Sequence, residues 1–259
     1  MKPIGLLFLS IMSCHINLLA DVGPLFDPQP SVSYYASLDT MPEDQGWRAP
    51  DSYNNAPVPY VNNGLLYVGP TEYEYGLYWS YADHENDFLG AEGFYMEARI
   101  KIVESSYIPG FGEEGPPWSD GTNWRCGYSL AAADKEGRQF SIELSIDGFR
   151  LTANKAKWGD GSTDFVFWPM DQFNTFQLVV EDGIGSLFVN RQLAVSLPVG
   201  ETGVYETPNL TYFGDGTRFG WSQTELDYFE YGAVPEPATF ILIGLALMPV
   251  IRRRRHVSR

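Results

Sequence analysis

In two stretches, 94–102 and 140–146, apolar and polar side chains alternate with a period of two, and that alternation restricts them to strands with one buried face. Phe94, Met96, Ala98, Ile100 and Ile102 take turns with Tyr95, Glu97, Arg99 and Lys101. Phe140, Ile142, Leu144 and Ile146 do the same with Ser141, Glu143 and Ser145, after which Asp147-Gly148 turns the chain into Phe149 to Ala153. Asp-Gly is a strong hairpin signal. A meander follows: Phe176 to Val180, a Glu181-Asp182-Gly183 turn, Gly185 to Val189, an Asn190-Arg191 turn, then Leu193 to Leu197. Asn209 to Phe213 and Thr224 to Tyr231 supply closing strands. Between the two terminal apolar runs no segment keeps a helical period. Many antiparallel strands with Gly and Asp turns predict an all-β sandwich, and residues 21–232 suffice for one such domain.

The two ends read differently. Lys2 precedes an apolar run from Ile4 to Met12, and Ala20 offers a small residue for cleavage. Residues 1–20 are therefore expected to be a signal-peptide helix, too short for a span. Ile11-Met12-Ser13-Cys14 also resembles a lipobox, which would lipidate Cys14 instead. At the other end Val234-Pro235-Glu236-Pro237 leads into an uncharged run from Ala238 to Ile251, followed by Arg252, Arg253, Arg254 and Arg255. At about 1.5 Å per residue the run covers about 21 Å of a hydrocarbon core near 30 Å, a marginal transmembrane helix. Snorkelling arginines and local thinning would complete it. The positive-inside rule keeps the arginines cytoplasmic and places everything before Val234 across the membrane. Two proline-locked φ angles hold the motif extended and outside the helix.

Those three parts in this order resemble the PEP-CTERM sorting signal, here assigned to residues 233–259. The resemblance implies that an exosortase in the membrane recognises Pro-Glu-Pro and removes the tail, freeing the protein for the cell surface or the exopolysaccharide matrix. A plain anchor, with Pro-Glu-Pro as its linker, is the alternative.

Composition bounds what the domain between the signals meets. Lys2, Arg252 to Arg255 and Arg259 belong to the ends, as does Glu236, out of 17 basic and 33 acidic residues in all. That leaves the domain at about −21, a charge that repels nucleic acid and anionic membranes and favours cations. Cleavage after Ala20 leaves Cys126 as the one cysteine, so no internal disulfide is possible and packing alone must hold the core.

The order of strands is similar to laminin-G-like domains of the concanavalin A-like lectin and glucanase superfamily. Gly127-Tyr128-Ser129-Leu130, the Asp147-Gly148 hairpin, Phe213-Gly214-Asp215-Gly216 and Leu226-Asp227-Tyr228 carry the likeness. It implies an antiparallel jelly roll of two curved sheets whose concave face often meets carbohydrate. Long loops at 52–63 and 104–124 would frame a ligand groove.

Four sets of residues bear on chemistry. Glu225-Leu226-Asp227-Tyr228-Phe229-Glu230 fits the E-x-D-x-x-E motif of laminarinase-like glycoside hydrolases, where a bulge aligns three carboxylates as nucleophile, orienter and acid. Those enzymes carry the motif mid-domain, whereas here it lies at the end. The other reading is a last structural strand with Leu226 and Tyr228 facing in. Aromatics supply 15% of the chain, and flat rings stack on sugar faces. Tyr73, Tyr75, Trp79 and Tyr81 share one parity, fitting core or platform, and Trp118 and Trp124 sit in the long loop. Asp160, Asp164 and Asp215 lie in turns where carboxylates could ligate calcium, or where Asp-Gly simply turns the chain. Gly110 to Gly115 fits a G-x-G-x-x-G pattern, but Pro109, Pro116 and Pro117 bar the helix it needs. His84, the one histidine left after processing, excludes a multi-histidine zinc site. The expectation is a non-catalytic polysaccharide-binding domain without cofactor, with a glycoside hydrolase or a purely structural coat protein as alternatives.

Overall fold

The computed structural model describes residues 30–50, 57–69, 77–82, 93–107, 128–133, 137–153, 163–198, 210–215 and 220–234. The signal-peptide segment, the tail beyond Val234, and Tyr73, Tyr75, His84, Trp118, Trp124, Cys126 and Asp160 lie outside these residues. Among those described, no helix is long and apolar enough to cross a membrane.

The described strands are β1 Val32–Tyr35, β2 Tyr60–Asn62, β3 Leu65–Val68, β4 Leu77–Ala82, β5 Phe94–Tyr107, β6 Tyr128–Ala133, β7 Gln139–Ser145, β8 Gly148–Ala153, β9 Val166–Phe167, β10 Asn174–Glu181, β11 Ile184–Val189, β12 Gln192–Pro198, β13 Leu210–Asp215 and β14 Gly220–Ala233. One sheet has the order β12-β11-β10-β5-β14-β3-β2, with β1 also on β14; the other runs β4-β13-β6-β7-β8-β9. Every pairing is antiparallel. Two 3-10 turns, Ala36–Leu38 and Pro42–Gln45, carry the chain away from β1.

The alternation read from the sequence has the physical consequence it requires. Phe94, Met96, Ala98, Ile100 and Ile102 of β5 are buried against Phe140, Ile142 and Leu144 of β7 and their neighbours, in one core between the sheets. β5 and β14 pair from Tyr107↔Gly220 to Phe94↔Ala233 and form the spine of the first sheet. The free side of β14 is shared, Glu225 and its neighbours with β3 and Tyr228 to Tyr231 with β1. Asp182 and Gly183 have positive φ, as do Asn190 and Arg191, the twist that two-residue hairpin turns need.

Phe213 is the centre of an aromatic cluster. Ring centroids of Trp47, Phe229, Trp79 and Tyr34 lie 4.8, 5.1, 5.6 and 5.7 Å from its own. Such edge-on and offset contacts add to what area burial already contributes. Trp79 has no exposed surface, and its indole N–H donates to Glu43 at 2.9 Å. Trp79 is therefore core and not a ligand platform, the fate that its strand parity equally allowed. Tyr81, of the same parity, is half-buried with its ring 5.8 Å from Trp47.

Candidate functional site

β14 places the three carboxylates of the E-x-D-x-x-E stretch together. Its register with β5 steps from Leu226↔Ile100 to Tyr228↔Arg99, so Asp227 is an extra residue opposite no partner. A bulge of this kind shifts the parity of all that follows. Leu226 and Phe229, three apart, both enter the core, and Glu225, Asp227, Tyr228 and Glu230 all remain on the outward face. The expectation that Tyr228 faces in is thus corrected: the bulge turns it out, where its hydroxyl donates to Glu97 at 2.6 Å.

The outward face carries a ladder of paired charges. Lys101 bonds Glu225 at 3.3 Å, Arg99 bonds Asp227, and Tyr35 donates its hydroxyl to Glu230 at 2.5 Å. Arg99 also lies over the Phe173 ring, 4.6 Å from its centroid. Glu97 and Glu230 stand directly opposite each other, a like-charge pair that a sheet ordinarily avoids. A tyrosine hydroxyl on each disperses that charge. Burial, followed by the bond to Glu97 and its charge, pushes the Tyr228 hydroxyl well above the usual tyrosine range.

Beside this ladder lies an open aromatic pair. Asn63 and Gly64, both at positive φ, close β2 onto β3 as a two-residue hairpin and set Tyr60 opposite Tyr67. Leu66 and Val68 fill the core, so Tyr60 and Tyr67 stand on the outward face. Their rings stack at 4.9 Å with 10° between planes, and Tyr60 is 56% exposed. Tyr67 in turn faces Glu225, and Glu225 faces Lys101. Tyr60, Tyr67, Glu225 and Lys101 therefore form one row across four strands, about 14 Å long at the usual strand spacing. This pair escaped the reading of the sequence, which placed residues 52–63 in a loop. Asn63-Gly64 between Tyr60-Val61 and the apolar run Leu65 to Val68 was the signal that marks it.

The outward face of the second sheet differs. Ser129, Ala131, Ala133, Glu143 and Arg150 point away from the core and are still buried. Arg150 bonds Glu143 at 2.6 Å across β8 and β7. Tyr78 and Tyr212, 5.5 Å apart, stand on the same face, with Tyr78 partly exposed. Of the calcium candidates, Asp164 is an exposed loop residue and Asp215 ends β13. No group of three His, Cys, Asp or Glu among the described residues is arranged to hold a metal ion.

Comparison with known proteins separates tail from domain. The family model of the PEP-CTERM protein-sorting motif matches residues 233–255. No curated protein matches the chain in sequence. Among solved structures, a carbohydrate esterase from the Shiga toxin-encoding bacteriophage phi24B superposes with a TM-score of 0.54 at 12% identity, over 80% of this chain and 99% of that one. A GlcNAcα1-4Gal-releasing endo-β-galactosidase from Clostridium perfringens superposes with a TM-score of 0.50 at 11% identity, over 83% of this chain and 66% of that one. At such identities the likeness is one of fold. The chain folds as a jelly-roll sandwich of two antiparallel sheets and carries a PEP-CTERM protein-sorting motif at residues 233–255.

Proposed function

We propose that this is an exported protein of the cell surface or extracellular matrix, released from its membrane tail by an exosortase, whose jelly roll binds polysaccharide without cleaving it. The sorting motif at 233–255 supports the export and processing half. The observation that carries the binding half is the stacked, open Tyr60–Tyr67 pair in line with Glu225 and Lys101. Flat rings take the apolar face of a sugar while carboxylate and ammonium groups exchange hydrogen bonds with its hydroxyls. A row about 14 Å long suits a short stretch of chain held by weak contacts, as a matrix component requires.

The hydrolase reading retains one observation in its favour: the bulge at Asp227 sets Glu225, Asp227 and Glu230 on one open face. Against it, each carboxylate is engaged by a neighbouring strand, Glu225 by Lys101, Asp227 by Arg99 and Glu230 by Tyr35. Catalysis needs one of them to attack and another to hand over a proton. Retention on immobilised β-glucans and host exopolymer, together with reducing-sugar release, separates the readings. Retention lost in Tyr60→Ala, with no sugar released, is the expected result. Sugar release by the parent that vanishes in Glu225→Gln would make the protein a hydrolase.

A further inference from the structure

The first two residues of the sorting motif, Ala233 and Val234, are themselves built into the domain. Ala233 pairs with Phe94, and the Val234 amide adds one further bond, to the Gly93 carbonyl at 3.2 Å. The Val234 side chain is 6% exposed and sits with Tyr95 and Val179 in a small apolar cluster apart from the main core, with Phe188 packed against it. A Cβ on Gly93 would fall 2.2 Å from the Val180 carbonyl oxygen, so the close approach of backbones at this corner requires glycine. Val234 is the last described residue of this pairing. Beyond it Pro235, Glu236 and Pro237 reach at most about 10 Å before the uncharged run starts at Ala238.

A protease that takes its substrate as an extended strand engages backbone on both sides of the bond it cuts. On the near side of this motif that backbone is already committed to β5. We propose that Val234 is a latch holding the head of the sorting signal against the domain, and that removal of the tail waits on this strand end lifting away. Val234 is then a positioning residue: it acts by setting where the motif stands and how often it is free. The inference rests on the processing proposed above.

The test uses the full-length chain in a host that carries the sorting protease, with tail removal followed by pulse-chase and the mature C-terminus read by mass spectrometry. Insertion of Gly-Ser-Gly-Ser-Val between Val234 and Pro235 keeps Val234 seated and a valine ahead of the motif. Val179→Ala loosens the seat without touching the motif. The latch predicts faster removal in both, by about tenfold for the insertion, the factor expected when a protease no longer has to expose a buried valine. The insertion leaves Tm unchanged. Removal that is unchanged or slower in the insertion variant overturns the latch, because the fixed offset would then help the protease. A tail kept by parent and variants alike strikes the processing reading instead, and a second assay decides the latch by itself. A proline-specific endoprotease acting on the detergent-solubilised full chain cuts Pro235–Glu236 slowly in the parent and about tenfold faster in the insertion variant. Equal rates overturn the proposal with no sorting protease involved.

Discussion

Arg150→Met tests how the second sheet tolerates charge on its buried outward face. Arg150 of β8 stands opposite Glu143 of β7, and its Nε and a terminal nitrogen each lie 2.6 Å from Glu143 Oε2. The two side chains are 9% and 10% exposed. Methionine keeps the apolar stem and the β geometry but leaves the carboxylate without its guanidinium where little water reaches. Breaking one side of a buried pair costs about 3–5 kcal/mol, and the remaining exposure argues for the lower end. For a domain of this size each kcal/mol lowers Tm by about 2–4 °C, so the single substitution should lower it by about 6–12 °C. Glu143→Leu combined with Arg150→Met removes both charges, and it should lie within about 3 °C of the parent, since apolar replacement of a buried pair is often neutral. Thermal unfolding followed by circular dichroism at neutral pH reads both. A loss below about 3 °C for the single variant, or a double variant as unstable as the single, would refute the argument that this pair is held out of water.

Phe213→Ala removes the ring on which Trp47, Trp79, Tyr34 and Phe229 converge, and should cost about 3–5 kcal/mol in denaturant unfolding, against less than about 1 kcal/mol for truncation at exposed Phe167. Alkaline pH should destabilise the domain. The folded state keeps the Tyr228 proton above the pH of about 10 at which an unfolded tyrosine releases it, so stability holds below that pH and falls as pH rises beyond it. Tyr34, shifted the same way by burial and then by the charge of Glu43, adds to that fall. Tyr228→Phe should flatten the slope of Tm between about pH 9 and about pH 12; an unchanged slope would remove Tyr228 as a contributor. A chelator should leave Tm unchanged, and a drop of several degrees that calcium restores would reinstate a metal among the turn carboxylates.

Much of the architecture was legible because one-sided strands leave a period of two. The faces of β5 and β7, the Asp182-Gly183 and Asn190-Arg191 turns and the meander of β10 to β12 follow from local chemistry, and the hairpin turn expected at Asp147-Gly148 lies one residue earlier, at Ile146-Asp147. The sorting motif is legible for a different reason: Val-Pro-Glu-Pro, an uncharged run and four arginines act as a linear signal that needs no fold. The candidate site was half legible. Glu225, Asp227 and Glu230 were visible as a motif, but their partners Lys101, Arg99 and Tyr35 are remote in sequence, and only pairing of β14 with β5 and β1 brings them near.

The amino-acid sequence by itself determined that this chain forms antiparallel strands, where most of them turn, and that a proline-bounded signal closes the domain. Local propensity and periodicity carry that information within a few residues. Tertiary structure alone decided that Asp227 bulges and turns Tyr228 outward, that Trp79 is core while Tyr60 is open, and that Val234 is seated at the last rung. Each of these depends on which strand lies alongside and in what register, and alternation names the side chains that share a face without naming what that face meets.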